Sequence, residues 1–354
     1  MATDIHTHIV PAGFPAYAGH SGEAAWPSIC PAGCGHRHVM IGGGIFRTVP
    51  TCTSIAAERL ADMDRQGIQR QALSPMPELL SYKFSADDAR AMAAVVNNTI
   101  GAMVEVAPAR FTGLGMVPLQ APALAAAALR DLMRDGRFSG VEIGTNIAGV
   151  PLGDARFTPF FAMAEKLGAA IFVHALQPAG LERLSGPPVL GALAAFPCET
   201  ALAITSLMTS GTLSRFPGLK IAFSHGGGAF AALLPRLQHG WRTLPTLQAL
   251  MPESPAHIAR RLYYDTLVYD APTLRHLVHM FGPTQLLIGT DYPFEIQETD
   301  PLGALAAAHL PPAQLRLLRE ENARHFLGGA DQSSSPWPCQ PQPPTTTPTG
   351  GATT

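Results

Sequence analysis

Eight short apolar or β-branched runs alternate with longer segments of helical spacing, and few folds satisfy that alternation. The runs cover residues 3–9, 69–74, 111–117, 140–143, 169–174, 219–224, 262–265 and 285–288. Between them, Ala-, Leu- and Arg-rich stretches with a helical period occupy 54–66, 86–107, 121–135, 158–167, 189–214, 229–241 and 273–280, and a last one at 312–326 follows the eighth run. Such a pattern demands parallel pairing through right-handed crossovers, and eight units close on themselves as an α/β fold, the (β/α)8 TIM barrel. A doubly wound open sheet is the competing arrangement. Its nucleotide-binding form needs a GxGxxG or GxxxxGKS/T turn directly after a strand. Neither is present, and Gly42, Gly43 and Gly44 stand in another context.

Two segments depart from the repeat. Residues 11–53 separate the first strand from the first helix and are rich in Gly, Pro, Cys and His. They are far longer than an ordinary βα loop, so they read as an insertion over the barrel mouth with room for a small hairpin. From Asp331 the chain turns to Ser, Pro, Thr and Gly. That composition buries too little apolar area to offset its ordering entropy. Residues 331–354 are therefore expected to be a disordered tail and 1–330 a single barrel domain.

A formal charge of −2, with 14% charged and 47% hydrophobic residues, supplies no field for a polyanion or a membrane surface. Neither nucleic acid nor membrane is an expected partner. No apolar run approaches the roughly 18 residues of a bilayer span, and Met1 leads into Thr3, Asp4 and His6 without the pattern of a signal peptide. The cysteines Cys30, Cys34, Cys52, Cys198 and Cys339 are scattered and odd in number, so no disulfide framework is expected. A cytoplasmic location fits these features.

In a barrel of this kind the chemistry gathers at the C-terminal ends of the strands. The first run contains Asp4-Ile5-His6-Thr7-His8. Residues two apart on a strand share a face, so His6 and His8 can reach one metal ion. The fifth run ends in His174, the sixth leads into His225, and the eighth is followed by Gly289-Thr290-Asp291-Tyr292-Pro293. A lone HxH pair has many harmless explanations. Polar residues at the ends of strands one, five, six and eight together do not, because buried polar groups left unpaired are costly.

These motifs resemble the amidohydrolase superfamily, and within it the decarboxylase branch that acts on amino-carboxymuconate semialdehyde. The likeness rests on DIHTHIVP (4–11), FR (46–47), FVHALQP (172–178), FPCETALAI (196–204), FSHGGGAFAALLPRLQHGWR (223–242) and GTDYPF (289–294). It implies that His6, His8, His174 and Asp291 hold one catalytic Zn2+, with water completing the shell and Asp291 counted in the catalytic group. It further implies that His225 is the catalytic acid and base. Three neutral nitrogens and a carboxylate suit a divalent ion, and an imidazole suits proton transfer near neutral pH. Binuclear members carry a carboxylated lysine at the end of strand four. Here that strand reads GVEIG (140–144), and Lys83, Lys166 and Lys220 lie elsewhere, so a single metal is expected.

The same resemblance assigns Arg47 to a substrate carboxylate as a bidentate clamp, although a solvated loop arginine reads identically in sequence. Arg236 matches an arginine that reaches into a neighbouring subunit's site, which implies a homodimer; a surface ion pair is the plainer reading. Phe294 lines the pocket or fills the core. Cys30, Cys34, His36 and His38 have a spacing loosely compatible with a structural zinc site, and equally with chance thiols in a Gly/Pro loop. Residues 74–84 and the loop Ala175-Leu176-Gln177-Pro178 are expected to shape the pocket. The resulting expectation is zinc-dependent, non-oxidative decarboxylation of a small aromatic or muconate-semialdehyde-type carboxylate in aromatic catabolism. Metal-dependent hydrolysis or hydration of a lactone or ring-fission product is the enzymatic alternative, and a non-catalytic metal-binding protein is the third.

Overall fold

The computed structural model describes residues 1–19 and 26–328, so the expected tail lies outside the described residues. In chain order the strands are β1 (Thr3–Ile9), β2 (Ser28–Ala32), β3 (His36–Ile41), β4 (Gly44–Pro50), β5 (Arg70–Pro75), β6 (Phe111–Gly115), β7 (Phe138–Gly144), β8 (Asn146–Ile147), β9 (Val150–Pro151), β10 (Ala170–His174), β11 (Lys220–Phe223), β12 (Tyr263–Asp265) and β13 (Leu286–Leu287). Eight of them form one parallel sheet in the order β1-β5-β6-β7-β10-β11-β12-β13. Backbone bonds close the ring: the Ile5 N–H donates to the Ile288 carbonyl at 2.9 Å and the Asp291 N–H to the His6 carbonyl at 2.9 Å. The fold is an α/β TIM barrel, each of whose strands overlaps a run legible in the sequence.

The barrel interior is filled by one small cluster. Ile5, Ala72, Leu114, Ala170, Phe172, Ala222 and Leu287 pack there, and Ala323 and Phe326 of the final helical segment add to the same cluster. Alternating small and large side chains lets layers from neighbouring strands interdigitate at the density of a solid. A wider apolar layer, to which Phe111, Phe160, Ile204 and Phe281 belong, lies between the strands and the surrounding helices.

Two expected helices are interrupted: 189–214, and 312–326, where a π-helical turn (Leu317–Glu321) separates Pro312–Arg316 from Asn322–Leu327. Residues 189–214, read as one helix, break into a π-helical turn (Gly191–Ala195), an α-helix (Phe196–Thr209) and a short helix (Thr212–Arg215). Gly211 separates the last two with φ 74°, a left-handed conformation that a glycine adopts without strain. The stretch Gly191–Thr209 has the length, 19 residues, and the mean hydropathy, 1.4, of a membrane span. Half of it is buried, and its Glu199 accepts hydrogen bonds from Asn146 Nδ2 at 3.0 Å and the Ala179 N–H at 2.9 Å. It is a barrel helix, and Pro197 and Glu199 are what interrupt its apolar run in the sequence. The short helices Pro245–Leu250, Pro255–Ala259 and Pro301–Ala307 escaped the periodicity, because five to seven residues hold too few turns to show a period.

The insertion at 11–53 carries a three-stranded antiparallel sheet, β2-β3-β4, larger than the single hairpin expected. Arg37 pairs with Val49 and Val39 with Arg47, and a register shift follows between Val39 and Met40. Buried Val39 and Val49 dock this sheet on the core, and Arg47, Thr48 and Pro50 of β4 line the cavity at the barrel mouth.

Candidate metal centre and its cavity

The strand ends bring four ligand atoms together. Those of His6, His8, His174 and Asp291 all lie within 4.8 Å of one another, and all four residues are buried. His6 Nε2 is 3.1 Å from His8 Nε2, and Asp291 Oδ1 is 2.9 Å from His8 Nε2 and 3.3 Å from His6 Nε2. A bulge between Asp4 and Thr7 adds one residue to β1 against β5, which resets the side-chain alternation. That reset allows Ile5 to fill the interior cluster while His6 and His8 join the metal-ligand group above it.

Each imidazole is tethered through its other nitrogen. His6 Nδ1 pairs with Asp265 Oδ2 at 2.6 Å, His8 Nδ1 with the Pro75 carbonyl at 2.9 Å and His174 Nδ1 with the Ala175 carbonyl at 2.8 Å. With a proton held on each Nδ1, Nε2 is the nitrogen of each ring that faces the centre and whose lone pair a bound ion would take. His174 Nε2 and Asp291 Oδ1 are buried and find no hydrogen-bond partner among the described residues. Two such orphans among convergent donors are what a bound divalent cation satisfies. Among the described residues this is the one group of His, Cys, Asp and Glu so arranged. Cys30, Cys34, His36 and His38 do not assemble into a second: His36 Nδ1 bonds the Cys34 carbonyl at 2.9 Å and His38 Nδ1 the Thr48 hydroxyl at 2.9 Å, and both thiols are free and exposed.

Charge is distributed unevenly over the group. Burial drives His8 down to about 4 and His174 well below the usual imidazole range, so both are neutral at pH 7. Burial also opposes charge on His6, yet the Asp265 and Asp291 carboxylates outweigh it and raise His6 to about 10. Asp291 is pushed up by burial but held well below the ordinary carboxylate range by His6 and His8. Glu142, on β7 with its Oε2 3.7 Å from His8 Nδ1, is fully buried with neither oxygen hydrogen-bonded among the described residues, and burial raises it well above the usual range.

His225 stands beside the group, its ring centroid 5.3 Å from that of His6 and 5.2 Å from that of His174. Its Nδ1 is buried without a partner among the described residues, and burial followed by the His6 charge lowers its pKa. Its backbone is unusual: His225, Gly226, Gly227 and Gly228 all have positive φ, from 55° to 79°. A Cβ at Gly228 would lie 2.1 Å from the Pro197 carbonyl oxygen, and one at Gly227 would lie 2.7 Å from the Tyr264 ring. The HGGG sequence is thus a steric requirement of the turn that presents His225.

Two residues that the sequence reading passed over hold this arrangement. Asp265, at the end of β12, accepts the backbone N–H of His225 at 2.9 Å through Oδ2, and those of Gly226 at 2.8 Å and Leu267 at 3.1 Å through Oδ1, besides the His6 ring. Arg59, from the helix Ala56–Gln66, is completely buried. It donates to the His8 carbonyl at 2.5 Å, the Thr7 hydroxyl at 3.1 Å, Gln71 Oε1 at 3.3 Å and the Cys52 carbonyl at 3.3 Å. Its guanidinium also lies 4.8 Å from the centroid of the Tyr292 ring, next in sequence to Asp291.

Above the group opens a cavity of about 700 Å3, lined among others by His174, His225, Asp291, Phe294, Arg47 and Glu78. That volume suits a small organic ligand. Phe294 stacks on His8 with centroids 4.9 Å apart, and the Arg47 guanidinium lies 4.3 Å from the Phe294 ring centroid. Arg47 comes from β4 of the inserted sheet and pairs with Glu78 at 3.0 Å. Pro77 and Glu78, from the 74–84 segment, line the cavity, whereas the 175–178 loop supplies none of its lining. Arg236 is exposed on the helix Phe230–Thr243 and does not line the cavity of its own chain.

The family model described as amidohydrolase matches residues 3–329. A 2-amino-3-carboxymuconate-6-semialdehyde decarboxylase of Dictyostelium discoideum is 33% identical over 331 residues, which cover 93% of this chain and 90% of the relative. A gamma-resorcylate decarboxylase of Rhodococcus jostii is 29% identical over 67% of this chain and 77% of its own. Among solved structures, the 5-carboxyvanillate decarboxylase of Sphingomonas paucimobilis superposes with a TM-score of 0.72 at 25% identity, covering 77% of this chain and 83% of that one. These relatives are named as decarboxylases, which are carbon–carbon lyases. A buried His/His/His/Asp group at the strand ends of a closed barrel and a family match along nearly the whole chain lead to one conclusion: the protein belongs to the amidohydrolase family, among relatives that are decarboxylases.

Proposed function

We propose that the chain is a zinc-dependent, non-oxidative decarboxylase of a small aromatic or muconate-semialdehyde-type carboxylate, working in cytoplasmic aromatic catabolism. The observation that carries the reading is the shared cavity, whose lining brings His174 and Asp291 of the ligand group and His225 together with Arg47. His6, His8, His174 and Asp291 would hold the ion. A divalent ion bound there supplies a Lewis acid that draws electron density from a conjugated substrate.

The remaining chemistry belongs to the chain. Arg47 presents planar paired donors to a carboxylate, and the Phe294 ring beneath the guanidinium fixes its plane. When the bond to the departing carboxylate breaks, CO2 leaves and the bonding electron pair stays on the substrate carbon. His225 delivers a proton to that carbon. Its lowered pKa keeps the ring neutral between turnovers, so a proton taken up is readily given away. Asp265 holds the His225 backbone and keeps this transfer in register. Arg236, on the exposed side of its helix, would complete the site of a second copy in a homodimer.

The test is CO2 release by zinc-loaded protein from a panel of hydroxybenzoates, aminobenzoates and a muconate semialdehyde, with His225→Asn as control. Proton transfer by a positioned side chain contributes roughly 10²–10⁴-fold, so the variant should lose at least that much rate while still binding zinc. Substrate loss without CO2 would favour hydrolysis or hydration, and undiminished turnover by His225→Asn would remove His225 from the mechanism.

A further inference from the structure

Arg47 does not meet the cavity alone. Its Nη2 donates to Glu78 Oε1 at 3.0 Å, and Glu78 stands in the short turn Pro77–Leu80 that follows β5. The other oxygen of Glu78, Oε2, is buried and has no hydrogen-bond partner among the described residues. Among the described residues, neither a lysine nor a second arginine lines the cavity. Glu78 lines the cavity with its side chain 18% exposed, so a ligand that displaces solvent from this wall must offer the carboxylate a donor or leave it to bear its desolvation cost.

The short distance within the pair limits what such a ligand looks like. A molecule that touches both partners must set its carboxylate and its donor on neighbouring atoms, ortho on a ring or vicinal on a chain. We propose that Glu78 is a specificity-determining residue, which accepts a hydrogen bond from an amino or hydroxyl group borne next to the carboxylate that Arg47 holds. The inference rests on the proposed function only in taking Arg47 as a carboxylate binder. A site built around such an acceptor rejects analogues without the donor far more strongly than an apolar wall rejects a changed shape.

The experiment measures binding rather than turnover. Dissociation constants of salicylate, anthranilate, benzoate and 2-methoxybenzoate are determined by calorimetry on zinc-loaded full-length protein, for the native chain and for Glu78→Gln and Glu78→Met. The native protein should bind salicylate and anthranilate about ten- to a hundredfold tighter than the two compounds lacking a donor. Glu78→Met should erase most of that ratio, and the isosteric Glu78→Gln, which keeps the fold and a weaker acceptor, should reduce it.

Equal native affinities for the four compounds would overturn the proposal. So would a ratio that survives in both variants, since the donor would then be read elsewhere, for instance by the metal. A loss that is uniform across the compounds would overturn it too, since Glu78 would then only orient Arg47. Discrimination without any CO2 release leaves Glu78 in its role and sinks the decarboxylase reading; CO2 release without discrimination sinks Glu78 alone.

Discussion

His6 and Asp265 are joined by a 2.6 Å contact between Nδ1 and Oδ2, with both side chains completely buried. The carboxylate fixes which nitrogen of His6 carries its proton, and through the N–H groups of His225 and Gly226 it ties the same oxygen pair to the turn behind His225. Replacing it with Asn keeps the shape but lets either ring nitrogen of His6 be protonated. Partners of this kind are worth about 10–100-fold in metal affinity. Asp265→Asn should weaken zinc binding by that factor in a chelator competition, and unchanged affinity would show that the Pro75 and Ala175 tethers suffice without it.

Loading the metal should release a proton. In metal-free protein His6 lies between two carboxylates and is raised to about 10, so at pH 7 it is an imidazolium and must lose its proton before Nε2 can bind an ion. Titration of zinc at pH 7 in buffers of different ionisation enthalpy should report release of about one proton per ion, with His8 and His174 contributing none because burial already keeps them neutral. The linked stability has a definite sign. A histidine raised on folding stabilises fully below about 6.5 and loses that contribution as pH climbs through about 10. Metal-free protein should therefore lose stability over that window while metal-loaded protein does not, and parallel curves for the two forms would refute the assignment.

The legible part of this site was the part carried by strands. His6 and His8 are two apart on an apolar run, and His174 closes another, so the period of two and the strand ends were enough. What the sequence hid were the residues whose type fits their surroundings innocently. Asp265 ends a strand only three residues long, where a carboxylate passes for a cap. Glu78 sits in a turn whose position over Arg47 depends on how an insertion folds across the barrel. Arg59 is different, since its signal was present: in AAERLADMDRQ it shares the buried stripe of Ala56 and Met63, three and four residues away. An arginine on the apolar face of an amphipathic helix is a buried cation with a task.

Arg236 can be tested by mixing two inactive chains. If it acts across a dimer interface, Arg236→Ala damages the partner's site while His225→Asn damages its own. A hybrid pair then contains one site with both defects and one intact site. Refolding an equal mixture should restore about a quarter of native activity, because half of the dimers are hybrids with one working site each. No recovery, with hybrids verified by mass, would place Arg236 within its own subunit's chemistry, and an Arg236→Ala chain active by itself would place it outside the chemistry altogether.

Arg59 provides the sharpest separation of structure from positioning. None of its hydrogen-bond partners is a carboxylate; they are the carbonyls of His8 and Cys52, the Thr7 hydroxyl and the Gln71 amide. Arg59→Met fills much of the volume but leaves those buried groups without a donor, each costing about 1–3 kcal/mol, so metal-free protein should lose about 3 kcal/mol or more in urea titration. That loss alone would not distinguish a packing role. The increment of stability that zinc adds does, because it depends only on how tightly the folded state holds the ion. If Arg59 fixes His8 through its carbonyl, the increment at a set zinc concentration shrinks in Arg59→Met, and Arg59→Lys, which keeps the charge without the planar fork, recovers only part of it. An undiminished increment in a destabilised variant would reduce Arg59 to a filler of the core.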